Sequence, residues 1–214
     1  MQGQGFVQHR VHAFRAVLAG LCLAIVAVPA LAQAADRLPS WNEGASKARI
    51  VAFVEAVTDP AGKQYVPPSE RIAVFDNDGT LWTEQPMYFQ LAFILDRVRA
   101  LAPEHPEWRT QEPFKSALAG DMAGVAKAGE HGLLEMMAAT HAGMTPEEFR
   151  KIVADWLATA KHPRFNRPYT ELTYAPMTEL LAYLRANGFK MFIVSGGGVE
   201  FMRVFSEQVY GVPP

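Results

Sequence analysis

Two aspartates set two residues apart, Asp76 and Asp78, close an apolar run from Ile72 to Phe75 and are followed at once by Gly79 and Thr80. One carboxylate of such a pair can attack an electrophile while its neighbour moves a proton. Where the backbone is extended, side chains at i and i+2 point to the same side, so Asp76 and Asp78 converge while Asn77 points away. Ile72 to Phe75 lack polar alternation, which predicts a strand covered on both faces, as in a parallel sheet. Asp76 to Gly79 taken alone read as a turn, since Asp, Asn and Gly are the commonest turn formers. The apolar run before them and a second site downstream favour the carboxyl end of a strand, where open α/β sheets place their ligands.

That second site is Met191 to Val194, another short apolar run, ending in Ser195 and the glycines Gly196, Gly197 and Gly198. The following segment, Val199 to Phe205, has helical spacing, with Phe201, Val204 and Phe205 on one face. A glycine turn between strand and helix lets backbone N–H groups approach an anion, and phosphate is the expected guest. By itself such a turn is often only a tight connection. A preceding helix from Met177 to Ala186, capped by Asn187-Gly188, completes one α/β unit.

Asp76-Asn77-Asp78-Gly79-Thr80 resembles the first motif of the haloacid dehalogenase superfamily, and Ile193-Val194-Ser195-Gly196-Gly197 resembles its second. The nearest resemblance is to the phosphoserine-phosphatase-like branch, in which a mostly helical cap is inserted between these motifs. The resemblance implies an α/β fold, a Rossmannoid parallel-sheet core with an inserted helical cap. It implies a magnesium-dependent phosphatase acting on a small phosphomonoester. Asp76 would attack phosphorus to form an aspartyl phosphate, and Asp78 would protonate the leaving oxygen and then activate water. The Asp76 carboxylate and the Asp78 carbonyl would hold Mg2+, Ser195 with Gly196 and Gly197 would bind the phosphoryl oxygens, and Thr80 would support the first loop. Dehalogenating members lack an acid at the second motif position, so Asp78 favours phosphoryl transfer. The family's substrate-binding glutamate aligns with Gln85, and Trp82, Glu84 and Gln85 are expected to form a moving flap.

The family pattern continues with a lysine and then an acidic motif that completes the metal site. After Ser195 this sequence has no lysine, and its only acids are Glu200 and Glu207. The expectation is an incomplete core, weak or no catalysis, and a chain that is truncated or needs a partner. The alternatives are an inactive phosphate- or partner-binding protein and a phosphotransferase that passes the phosphoryl group to an alcohol.

Half the residues are hydrophobic, 50%, and 20% are charged, which suits a globular domain with an insertion. The net charge of -2 and the lack of any basic run point away from nucleic acid. Residues 1–34 read as a secretory signal: Arg10 and Arg15 precede an apolar stretch from Ala16 to Val28, and Ala32 and Ala34 offer cleavage sites. The stretch is shorter than the roughly 20 residues of a spanning helix, so no stable membrane span is expected after cleavage, and the mature chain would be secreted or periplasmic. Cys22, the only cysteine, lies in this leader.

Residues 35–85 and 170–214 are assigned to the core and 86–169 to the cap. Within them, Ser46 to Val57 is expected as a helix with Ser46 as N-cap. Pro86 is expected to open a helix carrying Leu91, Ile94, Leu95, Val98 and Leu101 on one face. Thr145 and Glu148 match a capping box ahead of the stripe Phe149, Ile152, Val153, Trp156 and Leu157. Between them four glycines predict shorter helices. Trp108, Trp156 and Tyr88 are assigned to cap packing, and His162, Arg164 and Arg167 to the surface of the hinge, where an arginine could meet substrate. His105, His131 and His141 are too scattered to form a metal cluster.

Overall fold

A computed structural model describes residues Asp36–Pro214. The leader reading at residues 1–34 lies outside the described residues. No helix among those described is long and apolar enough to cross a membrane.

The fold is mixed α/β, with a short parallel sheet among many helices, as an α/β Rossmannoid core predicts. Strand β1, Ile72–Phe75, pairs in parallel with β2, Lys190–Ile193, Ile72 lying opposite Lys190 and Phe75 opposite Ile193. Among the described residues these are the two strands of the sheet. Parallel strands need a long crossover, and here it carries α2 (Phe89–Leu101), α3 (Phe114–Ala119), α4 (Met122–His141), α5 (Pro146–Thr159) and α6 (Ala175–Ala186). Helix α1 (Ala45–Thr58) precedes β1, and α7 (Val199–Arg203) and α8 (Ser206–Tyr210) follow β2.

The expectation that β1 is covered on both faces is overturned. Ile72 and Val74 are 57% and 59% exposed, and Phe192 on the paired strand and Val194 just after it are exposed as well. Alternation decides which residues are covered: Ala73, Phe75, Met191 and Ile193 face the core, while no described helix covers the opposite face. A four-residue apolar run cannot distinguish one-sided from two-sided burial.

The helix ends follow local chemistry with instructive exceptions. At α5 the capping box forms as expected, the Thr145 hydroxyl accepting from the Glu148 amide at 3.2 Å and the Glu148 carboxylate accepting from the Thr145 amide at 2.7 Å. Gly188, at φ +78°, lets the chain leave α6 towards β2. Ser46 is not a cap, because α1 begins at Ala45 with Gly44 before it. Nor does Pro86 open a helix, since α2 starts at Phe89. The glycines between α2 and α5 give shorter helices, as expected: α3 ends at Gly120, and Gly129, at φ +61°, divides α4 into two helices across a kink.

The core is aromatic. Trp82 stacks on Phe205 with centroids 4.3 Å apart and meets Phe89 at 4.5 Å, and Phe93 of α2 packs against Phe149, Trp156 and Phe201. One continuous cluster thus joins α2 and α5 to the helices after β2. The Arg150 guanidinium of α5 donates to the Glu200 carboxylate of α7 at 3.1 Å, adding a polar tie on the same side.

Candidate functional site

Both strands end at one cavity of about 420 Å³, whose lining includes Asp76, Asp78 and Glu84 and Ser195, Gly196 and Gly197. Its size is that of a small-molecule site. The pairing puts these groups together: β1 and β2 are parallel and in register, and the ladder continues through the Val194 amide, which donates to the Phe75 carbonyl at 2.8 Å.

The loop after β1 reverses tightly. The Asn77 carbonyl accepts from the amides of Thr80 and Leu81 at 3.1 and 2.8 Å, and the Gly79 amide returns to the Trp82 carbonyl at 2.9 Å. Gly79, at φ +72°, permits this, and a Cβ there would collide with the Glu84 carboxylate. Asn77 points away from the cavity, as the spacing predicts, and its buried side chain accepts from the Tyr210 hydroxyl at 2.9 Å. Burial pushes the Tyr210 phenol up, with the Asp78 charge adding to the effect, so this hydroxyl stays protonated.

Asp76 accepts from the Asn77 amide at 2.7 Å and is exposed to the cavity. Asp78 is partly buried, and its carboxyl lies above the ordinary range. Desolvation is the largest cause, the Trp82 indole N–H opposes it with a 2.7 Å hydrogen bond, and the charges of Asp76 and Glu84 push it further up. A carboxyl held nearer neutrality is better suited to giving and taking a proton. Thr80 is within the loop, its amide on Asn77, and is not among the residues lining the cavity.

The second loop is more open. The Ser195 hydroxyl accepts from the Gly197 amide at 3.1 Å, and the Gly198 amide donates to the Gln90 side-chain carbonyl at 2.7 Å. Gln90, in the first turn of α2, is a site residue that sequence reasoning missed; nothing in the local pattern marks it. Helix α7 is five residues long, and of the glycine turn before it the Gly197 and Gly198 amides donate within the protein, to Ser195 and Gln90.

Three other expectations are corrected. Trp82 is not on a flap: it is 1% exposed and locked into the aromatic core. Tyr88 is not packed inside the helical segment but is exposed and lines the cavity. His162 is not on the surface; it is buried, with Nε2 2.7 Å from the Gln85 carbonyl, and so fastens the segment before α2. Arg164 and Arg167 are exposed and do not line the cavity, Arg167 pairing with Glu171 at 3.0 Å.

Among the described residues no group of three or more His, Cys, Asp or Glu side chains forms a metal-binding cluster. Magnesium is commonly held by one or two carboxylates, with substrate phosphate and water supplying the remaining oxygens. The Asp76 carboxylate would meet that requirement, with the Asp78 carbonyl adding one further oxygen.

A comparison with curated proteins finds no match. The family model for haloacid dehalogenase-like hydrolases matches residues 73–213, a span holding all but the first residue of β1, both loops of the cavity and every helix between them. On that match the chain belongs to the haloacid dehalogenase-like hydrolases, which makes it in general terms a hydrolase of small molecules.

Proposed function

We propose that the protein is a magnesium-dependent phosphomonoester hydrolase of the phosphoserine-phosphatase-like branch, secreted or periplasmic, with the helices from α2 to α5 serving as its cap. The observation that carries this reading is the meeting of Asp76, Asp78 with its upward-shifted carboxyl, and the Ser195 to Gly197 turn in one cavity. The Asp76 carboxylate attacks phosphorus as the bond to the leaving oxygen breaks, and the Asp78 carboxyl delivers its proton to that oxygen. Water then attacks the phosphorus of the aspartyl phosphate. Asp78, now ionised, takes the water's proton, and inorganic phosphate leaves as Asp76 is restored. Ser195 and the amides of Gly196 and Gly197 hold the transferring oxygens. Mg2+, held by the Asp76 carboxylate and the Asp78 carbonyl, would neutralise phosphate charge when bound. Thr80 supports the first loop through its backbone.

The test is phosphate release from phenyl phosphate with Mg2+, with acid-quench trapping of the phosphorylated chain. Asp76→Asn should abolish both signals. Turnover that survives in Asp76→Asn would remove the mechanism.

A further inference from the structure

We propose that the organic part of the substrate is uncharged and apolar, an aryl or alkyl group, and that Tyr88 and Leu133 set this preference. The inference rests on the hydrolase reading and names the substrate class of that same cavity.

Beyond the carboxylates and the glycine turn, the rest of the cavity lining has a different character. Leu91 and Ile94 lie one turn apart on α2, and Leu133 and Met137 lie one turn apart on α4, so apart from Gln90, which holds Gly198, both helices line the cavity with apolar side chains. Tyr88 joins them from the residue before α2. Tyr88 is 55% and Leu133 36% exposed, and both stand to be covered by an apolar ligand, which is a favourable exchange with water. The Tyr88 ring also presents a face for an aromatic group to stack on.

Charge argues the same way. Among the residues lining the cavity there is no lysine, arginine or histidine, and Glu84 adds a third carboxylate to Asp76 and Asp78. A second anionic group on the substrate would lose hydration with no cation to replace it and would face like charge. An ammonium group could meet Glu84, but that carboxylate lies over Gly79, in the catalytic loop rather than on the apolar wall. A phosphorylated amino acid, carrying both charges, therefore fits the wall poorly.

Calorimetric titration of the full chain, with and without Mg2+, would compare phenylphosphonate, methylphosphonate and 2-amino-4-phosphonobutanoate, the phosphonate counterpart of phosphoserine. Phenylphosphonate should bind at least ten-fold tighter than either of the others. Leu133→Lys and Tyr88→Ser should each weaken phenylphosphonate several-fold and affect methylphosphonate much less, with melting curves close to the parent. Equal binding of the three, or tighter binding of the amino acid, overturns the apolar assignment. Indifference of phenylphosphonate to both variants overturns the roles of Tyr88 and Leu133. A phenyl preference without phosphate release from phenyl phosphate would overturn the hydrolase reading alone, and release without the preference would overturn this inference alone.

Discussion

The two loops that meet at the cavity are held in different ways. The loop after β1 is bonded to itself and to the core: the Asn77 carbonyl gathers successive amides, Gly79 bonds back to Trp82, Tyr210 holds the Asn77 side chain, and the Trp82 indole holds Asp78. After β2, the Gly198 amide is instead held by Gln90, a side chain of α2, and Gly196 and Gly197 are exposed. The groups proposed to do chemistry are thus fixed by buried packing, while the groups proposed to hold phosphate take part of their shape from the proposed cap. That division suits a site in which the reacting carboxylates must be preorganised and the anion seat can adjust as the cap settles.

The sharpest way to break this contrast is at Trp82. Trp82→Ala removes an almost fully buried ring from between Phe89 and Phe205 and should destabilise the protein by about 3–5 kcal/mol, measured by denaturant titration. Trp82→Phe keeps most of the packing but deletes the donor on Asp78. The Asp78 carboxyl should then rise further, moving upward the alkaline limb of the kcat/KM profile, where the proton donor is lost. If Trp82→Ala unfolds no more easily than the parent, the first loop is not held by the core. Tyr210→Phe is milder: it leaves the buried Asn77 side chain without its hydroxyl donor and should cost about 1–3 kcal/mol.

The meeting of Asp76 and Asp78 at one cavity was legible because a period-two rule at the end of an apolar run needs only local sequence, and both residues satisfy it. The α5 capping box was legible for the same reason, with both partners inside one turn. Trp82 was misread as a flap because nearness in sequence to the catalytic loop says nothing of the reversal at Gly79 that turns its side chain into the core. Gln90 was invisible because its partner Gly198 lies 108 residues away. His162 and the Gln85 carbonyl are likewise 77 residues apart. Contacts of this kind depend on how helices dock, which the spacing of apolar residues within each helix does not determine.

A smaller effect, opposite in sign, should come from Asp78→Asn. Burial, then the Asp76 and Glu84 charges, hold the Asp78 carboxyl above its ordinary value, against the opposing Trp82 hydrogen bond. The folded state therefore binds this proton more tightly than the unfolded chain does. The stability linked to the proton is full below the ordinary carboxylate value of 3.8 and is lost as pH rises through the raised folded value. Above the ordinary carboxylate range, ionising this partly buried group carries a penalty that the amide lacks, while the amide oxygen still accepts from Trp82. Asp78→Asn should therefore melt higher than the parent at pH 7, with the difference closing below pH 3.8, and should lose turnover. A lower melting temperature at pH 7 would mean that the Trp82 hydrogen bond, not desolvation, dominates at this carboxylate.

The smallest change in stability is expected at the second loop, and there the comparison is most exposed to refutation. Gln90→Ala removes a partly buried side chain whose partner, the Gly198 amide, sits where water can replace it. Stability should therefore change by less than about 1 kcal/mol, the scale of one hydrogen bond exchanged for water. If Gln90 shapes the anion seat, the loss falls on phosphate binding: KM for phenyl phosphate and the Kd for inorganic phosphate should rise several-fold together, with kcat changing less. A Gln90→Glu variant keeps the acceptor for Gly198 but brings negative charge beside the seat, so it should hold the turn and weaken phosphate more than Gln90→Ala does. Were both variants to bind phosphate as the parent does, the second loop would be as self-supporting as the first, and the asymmetry between them would be one of exposure alone.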